Sequence, residues 1–421
     1  MIKKIILDSG LRILSVFEKN TKAVTILILV GTGSKYETEK ENGISHFIEH
    51  MFGKGTEKRP SQLEIGQEID KLGGRFNFGT LKEYTLYWVK VHFKHFDKAL
   101  DWISDIFLNS RFDKREIEKE KGVIAQEINM YQDTPIMYIS DLWEELLYPN
   151  QPAGRLISGT IENIKKLKKN HFENYLKEHY SSKNTIVCIA GKINPKIANL
   201  KVAKYFKNIN KRKPKEKQKV IEKQEKPKVL LHQKETDQTH FCLGVRGVSF
   251  FHPLKYAQDL LAVILGGNMS SRLFNEIRAK TGLAYYIHTE SGIYTDTGYL
   301  VSSAGVAHKN AEKVIKLILK EYKNLKTEKI KDSELQKAKD YIKGNLALSL
   351  ESSDAKAVFY GTQELLKKEI LSPEKIFKKI DKITKKDILK LAHQIFLPQK
   401  LNLALIGPFK QKKEFEKLLE I

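Results

Sequence analysis

The hydrophobic pattern of the chain combines short apolar runs with longer stretches of helical periodicity. Strand-like runs come first in each half, amphipathic helices follow, and one further strand closes the half, at residues 184–193 and 401–409. Strands followed by helices predict α+β domains, each a mixed or antiparallel sheet with helices packed mainly on one face.

The two halves of the chain share this pattern. Residues 95–129 and residues 308–345 each predict two consecutive amphipathic helices. Residues 68–74 and 276–282 each end a helix and precede a strand-like stretch. Because the two sets lie about 200 residues apart, we interpret them as a duplicated domain and not as a repeat array.

A segment rich in lysine and proline lies near the middle of the chain, at residues 211–228. Such a segment is typical of a linker between domains. We therefore predict an N-terminal domain over residues 1–210, a charged linker over 211–228 and a C-terminal domain over 229–421.

Composition indicates a soluble globular protein: 41% of the 421 residues are hydrophobic and 30% are charged. No apolar segment approaches the ~18 residues that span a bilayer. The N-terminus has only a three-residue apolar run before Asp8, too short for a secretory signal. Cys188 and Cys242 lie far apart in strand-like contexts, which disfavours a disulfide framework. We expect a cytoplasmic protein without a membrane partner.

The formal net charge of +23 raises the alternative of a nucleic-acid-binding protein. The lysines, however, are spread along helix faces and concentrate in residues 211–228, where glutamates are interleaved and aromatic residues are absent. That segment offers no stacking platform for bases. We interpret it as a solvated linker and expect no nucleic-acid partner.

The candidate chemistry begins in residues 43–51, GISHFIEHM. Its apolar residues recur at i, i+3, i+4 and i+7, as in a helix packed on a core. His46 and His50 lie on the opposite face, one turn apart, where two imidazoles can bind one zinc ion. Glu49 is one residue off that register and is better placed as the general base that activates a zinc-bound water.

A third protein ligand leaves the fourth zinc position open for water. The predicted helix over residues 113–129 carries Glu120 and Glu127 seven apart on one face. Glu127 lies beside Ile124 and Ile128, where an unpaired carboxylate would be costly. These features favour Glu127 as a ligand; the alternative is that the helical histidines simply face solvent.

His50 and Glu127 are separated by 76 residues. With this spacing the chain resembles the M16 family of zinc metallopeptidases, the pitrilysin and mitochondrial processing peptidase-like family, whose signature is HxxEH followed after about 76 residues by a glutamate. Its length is similar to the single-subunit M16B-like branch. The resemblance implies one zinc per chain on His46, His50 and Glu127, Glu49 as catalytic base, and Glu120 as an acid that orients the site.

The resemblance also implies substrate-binding residues in both halves. Arg278 and Tyr285, seven apart around a Gly-Leu turn, would bind substrate carbonyls and the oxyanion. Asn77 and Thr80 belong to the family's Asn-Ala-x-Thr segment, which binds substrate as an added strand. Phe78 and Gly79 depart from that pattern and change the adjacent side-chain pocket.

By the resemblance, two similar domains enclose a chamber in which peptides or unfolded segments are cut as extended strands. The second half keeps no metal site, because residues 260–264 replace the histidine motif and Asn345 replaces Glu127. Zinc ligands and the Arg278/Tyr285 pair lie in one chain, so we expect a homodimer that works without a dedicated partner subunit. The alternative function is that of a non-catalytic scaffold with the same fold.

Overall fold

The computed structural model describes residues 2–328 and 330–419. Among these residues the chain forms two compact units. Unit 1 takes residues up to 128, residues 155–218 and residues 347–371. Unit 2 takes residues 129–154, residues 219–346 and residues from 372 onward.

Eleven strands form two sheets among the described residues. In chain order they are β1 (Ile2–Ile6), β2 (Arg12–Phe17), β3 (Ala23–Val30), β4 (Arg75–Thr80), β5 (Thr85–His92), β6 (Thr185–Gly191), β7 (Lys228–Gln233), β8 (Thr239–Arg246), β9 (Ala284–Ile293), β10 (Gly298–Val306) and β11 (Leu401–Gly407).

The α-helices follow the predicted order within each half. They are α1 (Ile44–Phe52), α2 (Gln62–Asp70), α3 (Phe96–Asn109), α4 (Lys114–Asp133), α5 (Pro135–Leu147), α6 (Ile161–Lys166), α7 (Lys169–His179), α8 (Pro195–Tyr205), α9 (Lys255–Gly266), α10 (Ala311–Thr327), α11 (Asp332–Ser349), α12 (Ser353–Lys367), α13 (Pro373–Asp381), α14 (Lys385–Ile395) and α15 (Lys413–Leu418). In the described ranges, none of them is long and apolar enough to cross a membrane.

The two sheets have the same topology. The first sheet, in unit 1, has the order β1-β2-β6-β3-β5-β4, and the second sheet, in unit 2, has the order β7-β11-β8-β10-β9. In both, one pair of neighbours is parallel, β2 with β6 and β7 with β11, and the other pairs are antiparallel. Two similar α+β domains are thereby confirmed, and β1 is the one strand of the first sheet without a counterpart.

The central strands are buried on both faces. In β3, Val24, Ile26 and Ile28 join the main core of unit 1, whereas Leu27 and Leu29 face the opposite side of the sheet and pack in a second cluster. That alternation follows from the pleat of a strand, and it requires cover on each face. Most helices of unit 1 lie on the face of the sheet that carries the main core, as predicted.

The opposite face of each sheet is covered by a helix from the other half of the sequence. In unit 1 this is α12, which packs on β2, β3, β5 and β6. In unit 2 it is α5, which packs on β7, β8 and β11. The chain therefore groups differently from a single cut in residues 211–228, although it does pass from unit 1 to unit 2 within that segment, at Gln218.

Polar contacts fix the position of α12. The Glu364 side chain, which is buried, lies 2.7 Å from Lys4 Nζ and 3.5 Å from Arg12 Nη1. At the other end of the helix, the hydroxyls of Ser353 and Thr25 are 2.8 Å apart. A buried carboxylate is tolerated here because two cations from β1 and β2 compensate its charge.

Candidate metal centre

The N-terminus of α1 is held by a buried carboxylate. Glu37 accepts hydrogen bonds from the backbone N–H of Gly43 at 2.8 Å and of Ser45 at 2.9 Å. These donors would otherwise be unpaired at the helix start, and a negative charge there is favourable. Gly43 has φ of 99°, and a Cβ on it would lie 2.7 Å from the carbonyl oxygen of Ser158. Glycine at this position lets α1 begin where it does.

The predicted two-faced character of α1 is present in the structure. Its apolar stripe is buried in the core of unit 1: Ile44, Phe47, Ile48 and Met51. His46 and His50 project from the opposite face, and their Nε2 atoms are 3.3 Å apart. Because the core fixes the rotation of α1, both imidazoles are held towards one point.

Glu127 reaches the same point from α4. Ile117, Ile124 and Ile128 are buried and anchor α4 on the core. The Glu127 Oε2 atom lies 3.6 Å from His46 Nε2 and 3.4 Å from His50 Nε2. Each of these three atoms therefore lies within 3.6 Å of the other two.

The three atoms fit one zinc ion. Tetrahedral bonds of about 2.0–2.2 Å place neighbouring ligand atoms about 3.3–3.6 Å apart. The distances among the two Nε2 atoms and the carboxylate oxygen are 3.3, 3.4 and 3.6 Å. In the part of the chain that the structure describes, His46, His50 and Glu127 are the one group of three such residues whose ligand atoms converge in this way.

Glu49 lies in α1 between His46 and His50 in sequence and is not a member of the converging trio. Its Oε2 atom is buried and has no hydrogen-bond partner among the described residues. The negative charge of Glu49 contributes to the raised pKa of two buried tyrosines, Tyr87 and Tyr180. Burial, with the negative charge of Glu49 as a smaller cause, raises the pKa of Tyr180 to about 12. A carboxylate oxygen with free acceptor capacity is what a general base needs.

The charges around His50 are strongly coupled. Burial lowers the pKa of His50, but hydrogen bonds to Glu120 and Glu127 outweigh it and raise that pKa to about 9. The hydrogen bonds from His46 and His50 hold the pKa of Glu127 well below its usual range. Two carboxylates therefore stabilise positive charge at this point, as a proton in the metal-free chain or as a cation.

Glu120 contacts the far side of the His50 ring. Its Oε1 atom lies 2.9 Å from His50 Nδ1. Burial alone would raise the pKa of Glu120, but hydrogen bonds from His50 and Lys54 outweigh it and keep the pKa low. A carboxylate on Nδ1 leaves Nε2 free for a metal and fixes the orientation of the ring.

Lys54 is a member of this arrangement that the sequence analysis missed. Its Nζ atom lies 2.7 Å from Glu120 Oε2, and both side chains are largely buried. The available signal was its spacing of four residues from His50, one further turn along the direction of α1.

The predicted strand-binding segment lies at a sheet edge. β4 is the last strand of the first sheet, and it packs beside α1. Thr80 Oγ1 donates to the carbonyl oxygen of Ser45 at 3.4 Å, and Asn77 is exposed. The Phe78 ring packs against the Tyr87 ring, with 5.4 Å between the ring centroids.

Arg278 and Tyr285 belong to unit 2, whereas the metal-binding trio, Glu49, Glu120, Asn77 and Thr80 belong to unit 1. Arg278 lies in the short helical segment Phe274–Ala279, is exposed, and has its guanidinium 5.1 Å from the centre of the Phe274 ring. Tyr285 is the extra residue of a bulge in β9 and is 73% exposed. Both side chains are available for a ligand.

The sequence predicts residues 260–264 and Asn345 as the counterparts of the metal ligands, and these residues lie in α9 and α11 of unit 2. In α9, Leu260, Leu261 and Ile264 are buried in the core. Asn345 lies in α11 and donates to the carbonyl oxygen of Tyr341 at 2.9 Å. The side chains of α9 are therefore used for packing in unit 2, whereas Asn345 of α11 is exposed.

A duplicated α+β fold with a converging His-His-Glu trio in one domain defines a candidate metalloprotein. Two family models match it: "Insulinase (Peptidase family M16)" over residues 12–161 and "Peptidase M16 inactive domain" over residues 166–342. The chain belongs to peptidase family M16.

Curated relatives match over nearly the whole chain. The uncharacterized zinc protease YmxG of Bacillus subtilis is 36% identical over 97% of this chain and 98% of its own length. The mitochondrial-processing peptidase subunit beta of Saccharomyces cerevisiae is 30% identical over 95% of this chain and 90% of its own length.

Solved structures share the fold at low sequence identity. A protease from Helicobacter pylori superposes with a TM-score of 0.91 at 22% identity, over 97% of this chain and 99% of its own. A structure from Pseudomonas fluorescens, described as a peptidase M16 inactive domain, gives 0.89 at 16% identity, over 97% and 98% of the two chains.

Proposed function

We propose that this chain is a zinc-dependent metalloendopeptidase that hydrolyses peptides or unfolded polypeptide segments. The observation that carries the proposal is the convergence of His46, His50 and Glu127, whose ligand atoms lie 3.3–3.6 Å apart. The names of the relatives, zinc proteases and a processing peptidase subunit, support zinc as the metal and a polypeptide as the substrate.

His46, His50 and Glu127 would hold the zinc ion, and three protein ligands are the number that catalytic zinc sites use. Bound zinc supplies Lewis acidity, which lowers the pKa of water and polarises a carbonyl group. Glu49 takes the proton from the attacking water through its free carboxylate oxygen and returns it to the leaving amine. The C–N bond breaks as that nitrogen is protonated, and Glu49 is left ionised for the next cycle.

The edge strand β4 supports binding of the substrate as an added strand. Its outer backbone groups can pair with an extended peptide beside α1. We assign Asn77 and Thr80 to this segment, and Arg278 and Tyr285 to substrate carbonyls and the oxyanion. Backbone pairing favours extended peptides over folded proteins, because a folded protein has few free strands to offer.

One zinc ion per chain is part of the proposal, because buried leucine and isoleucine replace the histidines in α9. One chain carries both sets of proposed functional residues. A homodimer would therefore be active without a second kind of subunit. A matched family model that describes the second domain as inactive agrees with this division of roles.

The test separates metal binding from proton transfer. Glu49→Gln should keep zinc and lose activity by about 10²–10⁴-fold, the usual contribution of a general base. Glu127→Gln should lose zinc and activity together. Bound zinc is measured by elemental analysis, and cleavage of a peptide mixture is followed by mass spectrometry.

The matched control is Glu118→Gln, a glutamate on α4 whose side chain is 64% exposed. It should retain both zinc and activity. Cleavage at the wild-type rate by zinc-loaded Glu49→Gln would refute the mechanism. A wild-type chain without zinc and without cleavage would favour the non-catalytic scaffold.

A further inference from the structure

Lys54 extends the metal centre by one charged residue. It follows the glycine that ends α1, and its backbone N–H donates to the carbonyl oxygen of Met51 at 3.1 Å. This keeps Lys54 on the helical path, four residues after His50. Its side chain turns inwards and is only 11% exposed.

The ammonium group of Lys54 has two partners. It lies 2.7 Å from Glu120 Oε2 and donates to Gln62 Oε1 at 3.0 Å. Glu120 is itself 2% exposed, and its other oxygen contacts His50 Nδ1 at 2.9 Å. Each oxygen of this carboxylate thus has one cationic or N–H partner.

We propose that Lys54 is a positioning residue that holds Glu120 against His50 and thereby orients this imidazole for the metal. The inference rests on the proposed function. Without the ammonium group, Oε2 of Glu120 would be a buried carboxylate oxygen without its cationic partner. The carboxylate would then turn towards solvent or a water, and the ring of His50 would lose its fixed orientation.

The expected loss of zinc affinity depends on how many contacts separate Lys54 from the metal. Groups that contact a metal-bound histidine typically change metal affinity by about 10–100-fold when removed, and Lys54 is one contact further out, so about tenfold is expected. Lys54→Met keeps most of the aliphatic stem and removes the charge. Lys54→Arg keeps the charge and should restore most of the zinc affinity.

Zinc affinity is measured by chelator competition on the full chain, and kcat and KM are measured on a peptide substrate. Lys54→Met should release zinc about tenfold more readily. With zinc in excess, kcat should fall while KM stays near the wild-type value. The matched control is Lys121→Met, which removes a lysine of similar exposure, 12%, that pairs with Glu118 at 2.8 Å on α4.

A double-mutant cycle tests the route through Glu120. If Lys54 acts by holding this carboxylate, Lys54→Met should add little to the zinc loss already caused by Glu120→Gln. Additive losses, or equal zinc affinity of Lys54→Met and wild type, would overturn the inference. A wild-type chain that does not bind zinc would instead overturn the proposed function, so the two failures are distinguishable.

Discussion

His50 couples metal binding to pH. In the metal-free chain its pKa is raised to about 9, because hydrogen bonds to Glu120 and Glu127 outweigh the opposing effect of burial. Zinc requires the neutral ring, so at neutral pH the ion must displace this proton. Zinc affinity should therefore rise about tenfold per pH unit for one displaced proton and level off near pH 9. Calorimetry in buffers of different ionisation enthalpy measures the protons released.

Glu120→Gln provides the comparison for this pH dependence. The variant loses one of the two carboxylates that raise the pKa of His50, so protonated His50 becomes less stable. Fewer protons should be released per zinc at pH 7.5 than in the wild type. Equal proton release in both proteins would show that His50 is not the group that zinc deprotonates.

Local residue spacing predicts part of this site. The pairing of His46 and His50 follows from the helical repeat, because residues four apart share a face. Glu127 lies 77 positions after His50, and the helical repeat cannot predict a contact over that distance. It was assigned because an unpaired carboxylate beside apolar residues would be costly, and because of the spacing of the family motif. Lys54 was missed because a lysine after a helix end is usually solvated. The roles of Arg278 and Tyr285 stay predictions.

At the scale of elements, α12 depends on close packing at Gly361. A Cβ on this residue would lie 2.6 Å from Leu29 Cδ1 and 3.5 Å from Cys188 Cβ. Gly361→Leu should lift α12 from the first sheet and lower the free energy of unfolding by about 1–3 kcal/mol, the usual penalty of overpacking. Urea unfolding followed by the fluorescence of Trp88, which packs in the same cluster, measures the change.

Gly122 in α4 is the matched control. A Cβ there meets nothing within 4 Å, so Gly122→Ala should stabilise the protein by about 0.5–1 kcal/mol through helix propensity. We expect the free energy of unfolding to fall with Gly361→Leu and to rise with Gly122→Ala. Destabilisation by both substitutions would show that the tight contact of Gly361 is not what distinguishes them.

The sequence predicts the type and order of the elements better than their partners. Strand and helix periods are local, and the equal topology of the two sheets agrees with the duplication seen in the pattern. The placement of α5 and α12 could not be predicted, because an apolar helix face does not specify which sheet it covers. Contacts such as Glu364 with Arg12 join residues 352 positions apart.

At the scale of the whole molecule, the two similar domains differ in what their equivalent helices carry. Unit 1 keeps the candidate metal centre, while the equivalent helices of unit 2 carry apolar core residues. Both units nevertheless borrow one helix from the other half of the sequence. The chamber implied by the family resemblance and the domain limits at residues 210 and 229 stay predictions.

The exchange of α5 and α12 predicts how fragments of the chain behave. Residues 1–218 alone lack α12 and would expose the side chains that it covers, Leu14, Val16, Leu27, Leu29, Ile186, Cys188 and Ala190. Each fully buried aliphatic side chain contributes roughly 1.5–3 kcal/mol. The combined loss is comparable to the whole stability of a domain, about 5–15 kcal/mol. The fragment should bind an apolar dye and unfold without cooperativity.

Attaching residues 347–371 to this fragment through a flexible linker should restore a cooperative transition, because all segments of unit 1 are then present. Dye binding should fall but not vanish, because the fragment also contains α5, whose apolar side chains pack on the sheet of unit 2 in the full chain. The same attachment carrying Ala357→Asp should fail, since Ala357 is fully buried against the sheet and a carboxylate there has no compensation. Cooperative unfolding of residues 1–218 by themselves would contradict the prediction. Rescue by the intact segment alone would mean that the second half of the chain stabilises the metal-binding domain directly, through one helix.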